Sequence, residues 1–342
     1  MRYVNRSVCG SLCVMAALIL ATPPAGARTP VASGAAAPVT LEQEIRRIAE
    51  GAGGTMGVAA WRLDGKGPRV LLNGDQLFPL ASTFKVAVAG AILRKVDAGE
   101  LTLRQMVEVK PDKIVPSEVI ADRFIHPGIS LSVHNLLELM MTQSDNSATD
   151  VLTELAGGPA EVTRWVRAQG VQGQRIDRDT GTLLRDFYGI QGGGTVTEAF
   201  AAAAKAEPGL GRRASQPNPV FDKDPRDTSS PEAMASLLTS IFSGRALSPE
   251  STRVLTEIME RCRTGANRLP GRMPPGTVIA HKTGTIGGTV NDVGLITLPG
   301  NAGKVVIAAF VKESDRPAAD RERAIAEAAR SIRDYFLLAR AD

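Results

Sequence analysis

Short strand-like runs occur at both ends of this chain and nowhere clearly between them, and that division constrains its topology more than any other feature. Thr55–Trp61 and Arg69–Leu72 are apolar runs joined by the turn-forming residues Asp64, Gly65, Lys66 and Gly67. Thr277–His281, Asn291–Leu298 and Lys304–Val311 form a second set. The residues between the two sets have helical periodicity over 84–98, 133–143, 147–156, 160–168, 232–242 and 249–261, with Pro159, Pro231 and Pro249 at helix starts. A helix over about 41–50 begins at Thr40, which has Gln43 three residues on, and a long amphipathic helix, 318–338, ends the pattern. The arrangement that buries both apolar sets is an α/β (α+β) fold. Its antiparallel five-stranded sheet is built from both chain ends and flanked by helices, with an all-helical lobe inserted. The expected division is 40–80 with 264–342 for the sheet domain and 81–263 for the helical domain, and 342 residues suffice for a sizeable core.

Residues 1–27 read as a secretory signal. Arg2 and Arg6 precede an apolar run from Val8 to Ala21, too short to span a bilayer, and Ala25, Gly26 and Ala27 form a cleavage site. Residues 28–39 then form a flexible leader, and the expected location is secreted or periplasmic, with no membrane association after cleavage. Neither Cys9 nor Cys13 has a leucine three residues before it, as a lipid-anchored protein normally requires. Only Cys262 lies beyond the signal, so no intramolecular disulfide is expected, and it reads as a small buried hydrophobe. The formal charge of +4 falls to about +2 once Arg2 and Arg6 are removed, too little to indicate a nucleic-acid partner. His126, His134 and His281 lack metal-ligand spacing, and no cofactor is implied. Gly192–Gly194 lacks the context of a phosphate-binding loop.

Ser82-Thr83-Phe84-Lys85 sits where loop character gives way to a helix. Residues three apart share a helix face, so the Lys85 amine can reach the Ser82 hydroxyl, and the helix N-terminus favours an alkoxide there. Alone, S-x-x-K is a weak signal. Ser144-Asp145-Asn146 follows one apolar helix and opens another, and Lys282-Thr283-Gly284 follows the strand run Val278–His281. Each of these tripeptides is expected by chance in fewer than roughly one chain in ten of this length.

Together, in this order, the three motifs resemble those of the class A β-lactamases, and the likeness covers nearly all of the chain beyond the signal. Ala156-Gly157-Gly158-Pro159, Arg175-Ile176-Asp177-Arg178 and Arg226–Ala235 are similar to further landmarks of that family. The resemblance implies that Ser82 is the acylated nucleophile and Lys85 its base. It implies that Ser144 passes a proton to the leaving nitrogen, that Asn146 orients Lys85 and the substrate amide, and that Lys282 tunes the relay. Thr283 and Thr285, on either side of Gly284, would bind the substrate carboxylate, and the N–H groups of Ser82 and Thr285 would form the oxyanion hole. The place of the family's usual carboxylate-binding arginine falls near Val290, so Arg268 is assigned a bidentate carboxylate contact, its alternative being a solvated surface arginine. His281 reads either as a tuner of Lys282 or as a plain strand-edge residue. A monomer acting on a small β-lactam or related acyl compound is the default.

One departure stands out. The family's E-x-x-L-N motif, whose glutamate serves deacylation, aligns with Thr180 and Leu184, and only Leu183 is kept. A missing general base lowers a rate by about 10² to 10⁴, unless Asp179, Asp186 or Glu198 substitutes. Residues 188–222 form either a surface insertion or a substrate-covering lid. Three readings stay open: a β-lactamase with a rearranged loop, an esterase or amidase on a non-antibiotic substrate, and a β-lactam or peptidoglycan-peptide binding protein that stays acylated. A D-alanyl-D-alanine peptidase is a fourth.

Overall fold

The computed structural model describes residues 39–117, 119–124, 126 and 128–339; the expected signal segment and most of the leader lie outside them. In chain order the main elements begin with α1 (Val39–Glu50), β1 (Thr55–Arg62), β2 (Val70–Leu72) and α2 (Lys85–Asp97). The helices α3 (Val133–Thr142), α4 (Asn146–Ala156), α5 (Pro159–Ala168), α6 (Thr180–Tyr188), α7 (Val196–Ala206), α8 (Pro231–Phe242) and α9 (Pro249–Glu260) come next. Strands β3 (Ile279–Ile286), β4 (Thr289–Thr297) and β5 (Lys304–Lys312) precede the closing helix α10 (Ala318–Leu338).

The two sets of strands join as expected. The sheet order is β2-β1-β5-β4-β3, every neighbour antiparallel, so the last strand is the central one and pairs with β1 from Thr55↔Lys312 to Arg62↔Val305. Both faces of β5 are covered, which is why its sequence is continuously apolar rather than alternating. Val58, Ala60, Ile307 and Ala309 face α1 and α10 through Leu41, Ile45, Ile325 and Ile332. Ala59, Trp61, Ala308 and Phe310 join a second core with Phe84, Val88, Ile92 and Leu237. Helix α2 is buried from Lys85 to Leu93, as a helix apolar on all sides must be. Full burial of each Val, Ile or Leu there contributes about 1.5–3 kcal/mol.

Local chemistry sets the helix starts. Asp145 caps α4 by accepting from Ala148 N, while Ser230 and Ser248 cap α8 and α9 with Pro231 and Pro249 at the first helical position. The structure corrects the sequence reading in three places. Strand β3 runs on through Lys282, Thr283 and Gly284 to Ile286, so the motif lies within the strand. A two-stranded ribbon, Met106–Val109 with Ile129–Ser132, and the helix α6 have no counterpart in the sequence expectations.

Candidate active site

Ser82 occupies a 3₁₀ turn, Ala81–Phe84, that runs directly into α2 and places Lys85 at its first position. Ala81 is held at φ 44 and Ser144 at φ 60, a conformation that non-glycine residues rarely adopt, so backbone strain collects at two points of the site. Asn291 on β4 fixes the turn by donating Nδ2 to Pro79 O and Leu80 O at 2.8 and 3.1 Å. Strand β3 crosses close beneath it. A β-carbon on Gly284 would stand 2.8 Å from Leu80 O and 3.1 Å from Ser82 N, so glycine is what lets the strand approach the serine.

Lys85 is fully buried and donates to Ser144 O at 2.7 Å, Asn146 Oδ1 at 2.9 Å and Ser144 Oγ at 3.2 Å. Asn146 donates in turn to Pro116 O. Lys282, equally buried, donates to Ser144 Oγ at 3.0 Å and Thr283 O at 2.8 Å. The S-x-x-K lysine, the S-D-N loop and the β3 lysine therefore meet at one hydroxyl. Burial, and then the charge of Lys282, hold the Lys85 amine well below the usual lysine range. Burial also lowers Lys282 to about 8, assisted by Arg268 and opposed by Cys262 and Asp292.

Thr285 is exposed, and its Oγ1 accepts from Arg268 Nη2 at 2.7 Å. Arg268 is buried rather than solvated. Its Nε meets Glu322 of α10 at 3.0 Å and its Nη1 donates to Gly284 O and Asn291 O. With its fork engaged within the protein, the sequence-based bidentate contact with a substrate carboxylate has no counterpart in this geometry. His281 lies on the sheet's edge strand, as one reading expected, but it is buried, with Nδ1 at 2.9 and 3.0 Å from the Asp292 carboxylate oxygens. Burial opposes its charge, but Asp292 and Cys262 raise it to about 10. Cys262 is partly exposed and has polar partners, unlike the buried hydrophobe expected.

The loop carrying Thr180 is closed at its neck by a buried pair, Arg178 Nε to Asp227 Oδ2 at 2.6 Å, and Asp227 Oδ1 also accepts from the N–H groups of Asp177 and Arg178. Thr180 is buried without a well-formed hydrogen bond to its hydroxyl. The three carboxylates considered as substitutes all have other partners. Asp179 caps α6 through Thr182 N, Asp186 pairs with Arg178 and Arg226, and Glu198 completes an exposed capping box with Thr195. A carboxylate that the sequence reading overlooked lies behind the loop. Asp150 accepts from Thr180 N at 2.7 Å and Gly181 N at 2.9 Å, and burial followed by the charge of Asp179 raises it to about 6. In sequence it stands four residues after Asn146, on the same face of α4.

The 188–222 stretch borders this site. Phe187 and Phe221 pack with Ala81 and Ile286, Thr197 Oγ1 donates to Ile114 O, and Gly287 N donates to Ala214 O. Among the described residues no group of three or more His, Cys, Asp or Glu is arranged to hold a metal ion.

The comparisons with known proteins agree with this geometry. Residues 40–336 match the model of the β-lactamase enzyme family, and the chain belongs to that family, in its class A branch. It is 30% identical to the extended-spectrum β-lactamase PER-1 of Pseudomonas aeruginosa, over 87% of each chain. It is 27% identical to β-lactamase VEB-1 of the same organism, over 87% of this chain and 90% of the other. Among solved structures, a β-lactamase from Xanthomonas campestris pv. campestris superposes with a TM-score of 0.71 at 32% identity, covering 86% of this chain and 97% of the other. An ancestral class A β-lactamase does so with a TM-score of 0.70 at 32% identity, covering 85% and 98%.

Proposed function

We propose that this protein is an exported serine enzyme that opens the β-lactam amide by acylating Ser82 and releases the acyl group slowly. The feature that carries the second half is Thr180, which aligns in sequence with the family's deacylating glutamate and is buried, with Asp179, Asp186 and Glu198 all engaged elsewhere.

In this reading Lys85, its proton affinity lowered by burial and by the charge of Lys282, removes the Ser82 proton as the hydroxyl attacks the lactam carbonyl. The N–H groups of Ser82 and Thr285 stabilise the developing oxyanion. Ser144 then delivers a proton to the departing nitrogen, drawing on the two lysines that donate to its oxygen. Asn146 fixes Lys85 and presents its amide to the substrate, while Lys282, Thr283 and Thr285 receive the substrate carboxylate. Arg268 acts as a positioning residue, aiming Thr285 and bracing Gly284. No cofactor enters the scheme, the protein acts as a monomer, and the expected location is the periplasm or the medium. Among the described residues no helix is long and apolar enough to cross a membrane.

The test is intact mass of the protein mixed with a penicillin, followed in time, beside Ser82→Ala. A long-lived adduct of penicillin mass on the parent chain and none on the variant supports the reading. An adduct or hydrolysis that survives in Ser82→Ala contradicts it. Acylation of Ser82 by simple esters but by no β-lactam transfers the chemistry to the esterase reading.

A further inference from the structure

One buried carboxylate has no part in the acylation scheme. Asp150 lies within α4, one turn after Asn146, and is only 3% exposed. Its Oδ1 accepts from Thr180 N at 2.7 Å and its Oδ2 from Gly181 N at 2.9 Å, so the carboxylate clamps the first turn of α6. Gly181 permits that approach, since a β-carbon there would stand 3.3 Å from Asp150 Oδ2 and 2.8 Å from the Val196 side chain. Thr180 beside it is 5% exposed, and its hydroxyl has no hydrogen-bond partner within the protein. A buried hydroxyl left without a partner is costly, and a fold that keeps one commonly spends it on a water, a ligand or a reacting atom. One turn along α6, Leu183 shares an apolar cluster with Ala81, the residue before the nucleophile. A carboxylate bound to the backbone of Thr180 and the unsatisfied hydroxyl of that same residue are thus placed together, on the helix that packs beside the Ser82 turn.

We propose that Thr180 and Asp150 form the proton relay that releases the acyl group, Thr180 receiving the proton of the attacking water and Asp150 the proton of Thr180. The water oxygen bonds to the acyl carbonyl carbon as its proton passes to Thr180 Oγ1, whose own proton passes to an Asp150 oxygen. As the adduct collapses, the carbon–oxygen bond to Ser82 breaks with its electron pair, and the proton on Asp150 returns through the same hydroxyl to Ser82 Oγ. The acid set free ionises to solvent. A hydroxyl is a weaker proton acceptor than a carboxylate facing the water itself, so release through this relay is slow. The charged groups acting on Asp150 or sharing its surroundings are Asp179 at the cap of α6, Lys85 on α2 and Lys113 in the turn Pro111–Lys113, with Glu154 of α4 paired to Lys113. Burial and then Asp179 raise Asp150 to about 6, opposed by the two N–H bonds, so above that pH it is ionised and able to take a proton.

Because the relay acts on the acyl group at Ser82, it rests on the acylation reading. The test is the loss of penicilloyl mass from the protein after excess penicillin is removed, followed in the parent, Thr180→Val, Thr180→Ser and Asp150→Asn. Thr180→Val keeps the shape of the side chain and the N–H bond to Asp150 and removes the hydroxyl alone. Release is expected to slow by about 10² or more in Thr180→Val and in Asp150→Asn, the scale of a general base, and to persist in Thr180→Ser. In the parent the release rate is expected to rise with pH through about 6, and that limb is expected to vanish in Asp150→Asn. A carboxylate that only held the loop in place would, on removal, slow release at every pH and leave the limb. Release from Thr180→Val at the parental rate overturns the relay, as does a parental rate that does not change with pH across that region. Acylation, read from the same spectra, shows that each variant is folded; if Asp150→Asn is not acylated, the two Thr180 variants and the parental limb decide. If the parent takes up no penicillin, the acylation reading fails and the relay with it. If the parent takes it up and releases it without need of the Thr180 hydroxyl, the relay alone fails.

Discussion

Lys85 and Lys282 donate to one oxygen, Ser144 Oγ, at 3.2 and 3.0 Å. Two buried ammonium groups around a single hydroxyl cannot both hold their protons at the usual lysine affinity, and burial together with the charge of Lys282 holds Lys85 well below the usual lysine range. A pH profile follows. As pH rises from the acid side, Lys85 gives up its proton well below the ordinary lysine range and becomes a competent base. As pH rises past about 8, Lys282 loses its proton and its hold on an anionic substrate. The acylation kcat/KM for a penicillin is therefore expected to be bell-shaped with a descending limb near 8. A rate still level at pH 9.5 would remove Lys282 from the scheme.

The Arg178–Asp227 pair joins the two ends of the enlarged loop and is buried on both sides. Removing one partner of such a pair typically destabilises by about 3–5 kcal/mol, because the other charge is left buried and unpaired. Asp227→Ala is expected to lower stability by that order in urea unfolding and to expose residues 178–226 to limited proteolysis. A variant as stable and as protease-resistant as the parent would show that the loop is held by its other contacts.

Gly284 is the point at which β3 passes the nucleophile's turn. Gly284→Ala places a methyl group 2.8 Å from Leu80 O, a contact that forces the strand or the turn to shift. Displacement of about 1 Å in a reacting pair can cost about 10² in rate. Acylation by a penicillin is expected to fall by that order while the far-ultraviolet circular dichroism stays unchanged. Unaltered acylation would mean that the turn has room the geometry does not suggest.

Much of this was legible in the sequence. The closing helix, Ala318–Leu338, lies where its periodicity put it, and the strands came together from both chain ends because their apolar runs had no other surface to cover. Ser144, Asn146, Lys85 and Lys282 meet within hydrogen-bond distance because three short motifs fix residue types at positions that the turn, the loop and the strand can bring together. What escaped depends on long-range packing. Arg268 reads the same in sequence whether it faces solvent or, as here, Glu322 and two β-strand carbonyls. His281 and Asp292 lie on separate strands, and nothing local announces their contact. Asp150 reads as an ordinary helix residue because its partners, the N–H groups of Thr180 and Gly181, belong to a helix with no clear periodicity of its own in the sequence.

The most direct test of slow deacylation is the pre-steady-state burst with a chromogenic cephalosporin. Acylation through Ser82 with no carboxylate at position 180 predicts a burst of one equivalent of opened ring per chain. A steady rate slower by about 10² or more, the scale lost with a general base, should follow. Linear, rapid turnover with no burst would contradict the account, since deacylation would then be as fast as acylation and Thr180 would have an efficient substitute.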